Sequence, residues 1–158
     1  MKFPYKKILV VCSVNTARSP MTVGYLKDKF LRNKKDVKIY SGGISSNARD
    51  GMLISMDAKL AMKEVGIELP KDSLSINLKK HPHLIEEADL ILTLTQKHKE
   101  ELNNYIGKDH KPIFSLKEFA GEYGDIEDPS MKGIEGFRKA RDEIHRVLTK
   151  AMENYGIK

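Results

Sequence analysis

A single cysteine in 158 residues cannot close an internal disulfide, and a lone reactive thiol is best kept in a reducing compartment. Apolar runs are short: none approaches the roughly 18 residues of a membrane span, and the first residues lack the apolar core of a secretion signal. These absences predict a cytoplasmic protein with no membrane partner. Tryptophan is missing, and the 28 basic residues are scattered, with neither a stripe nor interleaved aromatics on which bases could stack, so nucleic acid is not an expected partner. No zinc spacing occurs; His81 and His83 flank a proline without further ligands and read as surface residues, so neither metal nor cofactor is expected. What remains, 40% hydrophobic and 32% charged, is enough for one domain over 1–158, a sheet covered by helices on both faces. The net charge of +6 suits an anionic substrate, and a monomer or weak dimer is the expected state.

The chemistry gathers in Val10-Val11-Cys12-Ser13-Val14-Asn15-Thr16-Ala17-Arg18-Ser19-Pro20. The preceding Lys7-Ile8-Leu9-Val10-Val11 is apolar and β-branched, as a strand buried on both faces should be, and Pro20 suits the first turn of a helix. Five residues between Cys12 and Arg18 suffice to bend the backbone into a cup at a helix N-terminus. Its amides, from Ser13, Val14, Asn15, Thr16, Ala17, Arg18 and Ser19, would bind a phosphate. The same field favours the Cys12 thiolate, a nucleophile. The Arg18 guanidinium can hold two phosphate oxygens at once, which a lysine cannot. Ser19 is placed to donate its hydroxyl to the Cys12 sulfur. The competing reading is a structural cysteine buried at a strand end.

After the loop, Met21, Tyr25, Leu26 and Phe30 predict a helix over 20–32. Val37 to Tyr40 alternates as a strand, and Ser41-Gly42-Gly43 is expected to stop it with residues able to take positive φ. Residues 45–51 are polar and belong at the rim, with Arg49 facing water. A helix over 53–65 is expected to turn Leu53, Met56, Leu60 and Met62 inward, and 70–82 is mostly irregular. A buried strand over 88–94, a helix over 96–105, a strand over 112–116 and a helix over 134–155 follow, the last with Phe137, Ile144, Val147, Leu148 and Met152 as its packing stripe and its charges solvated. This alternation predicts an α/β three-layer fold, a parallel sheet with ligands at the carboxyl ends of the strands.

Transfer of a phosphoryl group to Cys12 requires an acid for the leaving group and then a base for the attacking water, and one carboxyl can do both. The loop Gly124-Asp125-Ile126-Glu127-Asp128-Pro129 offers three.

Cys12, Asn15, Arg18, Ser19 and Pro20 resemble the Cys-x-Gly-Asn-x-Cys-Arg-Ser-Pro loop of the low-molecular-weight protein tyrosine phosphatases, and Asp128-Pro129 resembles their Asp-Pro loop. The resemblance implies a four-stranded sheet of order 2-1-3-4. It also implies hydrolysis of phosphotyrosine or phosphoarginine in a protein substrate through phosphocysteine, with Cys12 as nucleophile, Arg18 as phosphate binder and Asp128 as general acid ahead of Asp125 and Glu127. It further gives Asn15, Ser19 and Ser41 to a network that supports the loop. Thr16, and the stretches Leu94 to Lys99 and Phe114 to Phe119, are similar to the protein-arginine phosphatase branch, in which a threonine hydroxyl helps to select phosphoarginine. Three positions depart from the family. Val14 replaces a glycine, Ala17 replaces the second loop cysteine, and Ser130 and Met131 stand where aromatics wall the pocket, which that branch also keeps after its Asp-Pro. An arsenate reductase of the thioredoxin-coupled kind needs further cysteines and is excluded by their count. A phosphate- or phosphopeptide-binding module without catalysis is the remaining alternative.

Overall fold

The computed structural model describes residues 2–107 and 111–158. Its first strand, β1 (Lys7–Cys12), ends on the cysteine, and the chain re-enters regular structure only at α1 (Arg18–Arg32). There follow β2 (Lys38–Gly43), α2 (Met56–Glu64), a 3-10 turn over Leu78–Lys80, α3 (Pro82–Glu87) and β3 (Leu90–Thr93). The last elements are α4 (Gln96–Ile106), β4 (Ile113–Ser115), α5 (Leu116–Phe119) and α6 (Gly133–Glu153). The strands pair in parallel in the order β2-β1-β3-β4, as the resemblance implied.

Side chains alternate across the pleat of β1 and so divide the interior in two. Ile8, Val10 and Cys12 join the larger core with Met21, Leu26 and Phe30 of α1 and Ile144, Val147 and Leu148 of α6, while Leu9 and Val11 join a smaller one with Leu84, Ile85 and Leu102. The cysteine thus faces the α1 side, and β1 ends where the axis of α1 begins. The packing stripe expected on α6 is buried in full, as are Met21, Tyr25, Leu26 and Phe30.

Three local expectations need correction. The first concerns α2, which starts at Met56 behind the Ser55 cap and not at residue 53. Leu53, Met56 and Leu60 are 75%, 67% and 48% exposed, and the inward face is Ala58, Ala61 and Met62. Small residues let α2 lie close to α6, so the periodicity of large apolar side chains marks the wrong face. The stretch 70–82 is mostly irregular, as expected, and is tied down by bridges from Leu53 to Leu74 and from Gly43 to Asn77 before α3 begins at Pro82. Second, the run 112–116 divides at Ser115, whose hydroxyl caps α5 with Glu118 in a reciprocal capping box and so turns Leu116 into helix. Last, the charges of α6 are not all solvated. Arg141 is 9% exposed, held by Glu64 at 2.7 Å and by the Ala61 carbonyl at 2.9 Å.

Ser41-Gly42-Gly43 also behaves otherwise than expected: β2 runs through it, and neither glycine has a positive φ. The requirement is space. A Cβ on Gly43 would lie 2.6 Å from the Ser13 carbonyl oxygen and 2.8 Å from Val14 Cα, both main-chain atoms of the loop that follows β1. Gly43→Ala is therefore expected to push that loop outward, costing about 1–3 kcal/mol in stability. Urea denaturation together with inorganic phosphate affinity checks this, and both should weaken.

Candidate active site

The loop between β1 and α1 is shaped by one residue in an unusual conformation. Asn15 has φ +65°, left-handed, which asparagine tolerates better than most. Val14 is not in that region, so its β-branched side chain stands without conflict at the position where the family loop has glycine. With Asn15 so turned, its amide N–H reaches Cys12 Sγ at 3.3 Å and its side chain reaches three ways. Nδ2 donates to Ser19 Oγ at 2.8 Å and to Ser41 Oγ at 2.9 Å, and Oδ1 accepts from the Ile76 amide at 3.0 Å. Asn15 is 2% exposed, and every one of these polar atoms is satisfied inside the protein.

The proton arrangement around the sulfur follows. Ser19 Oγ accepts from Asn15 and lies 2.9 Å from Cys12 Sγ, which leaves its own hydroxyl proton available for a sulfur that has lost its proton. Cys12 is 3% exposed at the floor of the loop, in front of the N-terminus of α1. No side chain caps that end and no acidic residue occupies its first turn. Its free amides and positive dipole end are left for an anion. α1 begins two residues earlier than predicted, which places Arg18 and Ser19 inside its first turn and fixes their direction.

Arg18 is 7% exposed, its Nη1 donating to the Ile126 carbonyl at 2.8 Å and its Nη2 lying 3.9 Å from Asp128 Oδ2. The guanidinium is thus held beneath the acidic loop instead of reaching into solvent. The three carboxylates of that loop part company. Asp125 accepts the Gln96 amide at 2.9 Å, Glu127 pairs with Lys132 and Lys139, and only Asp128 faces Arg18. Burial pushes the Asp128 carboxyl up, but the amide and hydroxyl of Ser130 and the Arg18 charge outweigh it and hold the group below its ordinary value. Arg49 is exposed at the rim, as expected, and its carbonyl accepts from Ser75 at 2.6 Å. His81 pairs with Asp50 at 3.0 Å, and among the described residues no three His, Cys, Asp or Glu side chains gather as a metal site.

Sequence reasoning misses His98. It is 2% exposed on the first turn of α4, with Nε2 2.8 Å from Ser13 Oγ and Nδ1 buried without a partner. Burial, reinforced by the Arg18 charge, pulls it down to about 4, with Asp125 and Asp128 opposing. A folded value below the ordinary 6.5 means that the unfolded chain takes up this proton first. Its contribution to stability is whole above the unfolded value and is lost as pH falls toward the folded one. Between pH 7 and pH 4.5 the expected loss is on the order of 2 kcal/mol. Urea denaturation at both values checks this, and His98→Gln should remove that share of the acid sensitivity.

The sequence profile described as low molecular weight phosphotyrosine protein phosphatase matches residues 7–156. The chain is 36% identical over 151 residues to the protein-arginine-phosphatase of Geobacillus stearothermophilus, covering 95% of each chain. It is 30% identical over 148 residues to the low molecular weight protein-tyrosine-phosphatase PtpB of Staphylococcus haemolyticus (strain JCSC1435), covering 94% of this chain and 99% of the other. Among solved structures it superposes with a TM-score of 0.85 and 30% identity on a YwlE arginine phosphatase mutant with phosphorylated active site serine, over 95% of both chains.

Proposed function

The chain belongs to the low molecular weight phosphotyrosine protein phosphatase family, and on that premise we propose how its own residues divide the work. It is a cysteine-dependent protein phosphatase that hydrolyses a phosphorylated side chain through a phosphocysteine intermediate. Cys12 is the nucleophile. Arg18 and the main-chain amides of Ser13, Val14, Asn15, Thr16, Ala17, Arg18 and Ser19 bind the phosphoryl group, and Asp128 protonates the leaving group and then activates water. Asn15, Ser19 and Ser41 hold the loop in shape. The observation that carries this assignment is the convergence of Ser19 Oγ on Cys12 Sγ at 2.9 Å with Asp128 Oδ2 at 3.9 Å from Arg18 Nη2. A solved relative carries a phosphorylated serine at its active site, consistent with transfer to a side-chain nucleophile there.

The substrate is a phosphorylated protein, and we assign it phosphoarginine ahead of phosphotyrosine. Thr16 is half-buried in the loop and the relative of 36% identity is named a protein-arginine-phosphatase, while Ser130 and the fully exposed Met131 depart from both branches and favour neither substrate. A hydroxyl selects strongly only where a substrate group pairs with it. Thr16→Val is accordingly expected to lower kcat/KM on a phosphoarginine peptide by about tenfold or more while leaving the matched phosphotyrosine peptide nearly unchanged. Equal effects on both peptides would return the assignment to phosphotyrosine. A binding module without catalysis would retain phosphopeptide and turn over neither.

The same reading places one phosphatase domain over 1–158, working as a monomer or weak dimer, without nucleic acid, in the cytoplasm. A reducing compartment suits an unpaired Cys12, and among the described residues no helix is long and apolar enough to cross a membrane.

A further inference from the structure

The loop that carries Asp128 lies between α5 and α6 and has no strand or helix of its own. Its position must therefore be set by a few bonds. Three are found just before the aspartate: the Ile126 amide donates to the Leu94 carbonyl at 3.0 Å, the Ile126 carbonyl accepts from Arg18 at 2.8 Å, and the Asp125 carboxylate accepts from the Gln96 amide at 2.9 Å. The last falls on the first residue of α4. That helix has no acidic residue in its own first turn and already has Thr95 as its cap, Thr95 Oγ1 accepting from the His98 amide at 3.1 Å. The charge at its N-terminus is supplied from the acid loop, where the dipole favours it.

Two residues further along the same turn, His98 bonds Ser13 Oγ at 2.8 Å, and Ser13 is the residue after the nucleophile. On its other side Ser13 is held through its carbonyl, which accepts from the Ser45 amide at 3.1 Å and from the Ser45 hydroxyl at 2.9 Å. One helical turn therefore grips the acid loop through Gln96 and the nucleophile loop through His98. Displacement at phosphorus places the sulfur and the acid on opposite sides of the transferring group, so their separation has narrow tolerance. A misplacement of about 1 Å can cost about a hundredfold in rate.

We propose that Asp125 and His98 are positioning residues, and that the first turn of α4 sets the distance between Cys12 and Asp128 by binding one loop through each. The proposal rests on the phosphatase reading given above. Asp125, offered by the sequence as a rival acid, acts on the reaction only through Asp128.

The two anchors leave different kinetic signatures. A displaced acid matters for a leaving group that needs a proton and little for one that departs as a stable anion. Asp125→Ala is expected to lower kcat/KM for phenyl phosphate about ten- to a hundredfold, while 2,4-dinitrophenyl phosphate falls only a few-fold. Asp125→Asn keeps an acceptor oxygen for the Gln96 amide and should restore most of the loss. His98→Phe keeps a ring in the space but releases Ser13, so both esters should fall together. Thermal melting of each variant shows that the fold persists. Equal falls for the two esters in Asp125→Ala, or no fall for either ester in His98→Phe, would overturn the shared register while leaving the phosphatase assignment intact. A wild type inert towards both esters would overturn the assignment and the register together.

Discussion

Cys12→Ser is expected to bring turnover of any phosphate ester below detection, a loss of about a millionfold where a nucleophile of this kind is removed. The reason lies in both steps. The N-terminus of α1, the Asn15 amide at 3.3 Å and the Ser19 hydroxyl at 2.9 Å face the sulfur, which serves as nucleophile in the first step and as leaving group in the second. A serine hydroxyl would have to shed a far more tightly held proton to attack, and would then be a far poorer leaving group when water attacks the intermediate. Phosphate binding should survive, since the groups proposed to hold the anion are main-chain amides and Arg18, and none of them is altered. Asn15 keeps its bonds to Ser19, Ser41 and the Ile76 amide whatever the atom at position 12. Steady-state rates with an aryl phosphate, set beside calorimetric titration with inorganic phosphate, separate the two effects. A variant that still turns over at an appreciable fraction of the wild-type rate would remove sulfur from the mechanism altogether.

The centre of this site is legible in the sequence because its parts are adjacent in the chain. A strand, a bend and a helix start within 7–20 carry Cys12, Arg18 and Ser19, and local geometry then leaves few places for them to point. The alternation of strands and helices is equally plain, since β1 and β3 are short continuous apolar runs and the large apolar residues of α6 repeat at helical spacing. Strand order is not readable from periodicity and comes only with the resemblance. The periodicity of α2 misleads for a related reason. Its buried face is Ala58, Ala61 and Met62, and alanine carries little hydrophobic signal, so the exposed Leu53, Met56 and Leu60 dominate the pattern.

Bonds that join distant segments leave weaker traces. Gly43 reads in the sequence as a residue chosen for its φ, whereas the constraint is the nearness of Ser13 and Val14, which lie before the whole of α1. His98 lies 85 residues from Ser13, and nothing around it in the sequence separates a buried strut from a surface histidine on a polar helix. The Ile76 amide and the Ile126 carbonyl, which complete the bonding of Asn15 and Arg18, are main-chain atoms and have no sequence signature. The capping box of Ser115 and Glu118 is the exception. Its spacing is a known helix-start signal, which the strand expected over 112–116 leaves out of account.

Asp128→Ala should separate the two halves of the reaction. In the resting protein the carboxyl is held below its ordinary value despite partial burial, so at neutral pH it carries charge. An incoming phosphate ester reverses this balance. Its oxygens take over the Arg18 guanidinium, and their own negative charge repels the carboxylate, so both changes raise its proton affinity and load the acid when it is needed. Without this group, kcat/KM for phenyl phosphate is expected to fall about a hundred- to ten-thousandfold, the usual worth of a positioned acid. With 2,4-dinitrophenyl phosphate the departing phenolate needs no proton, so transfer to Cys12 should proceed at close to the wild-type rate. The variant then lacks the base that activates water, and phosphocysteine should accumulate. Rapid mixing would show this as a burst of phenolate equal to the enzyme present, followed by slow turnover. Equal losses on the two esters with no burst would mean that Asp128 holds the fold of its loop and takes no part in proton transfer. In that event Glu127, which pairs with Lys132 and Lys139 in the same loop, would be the next residue to replace.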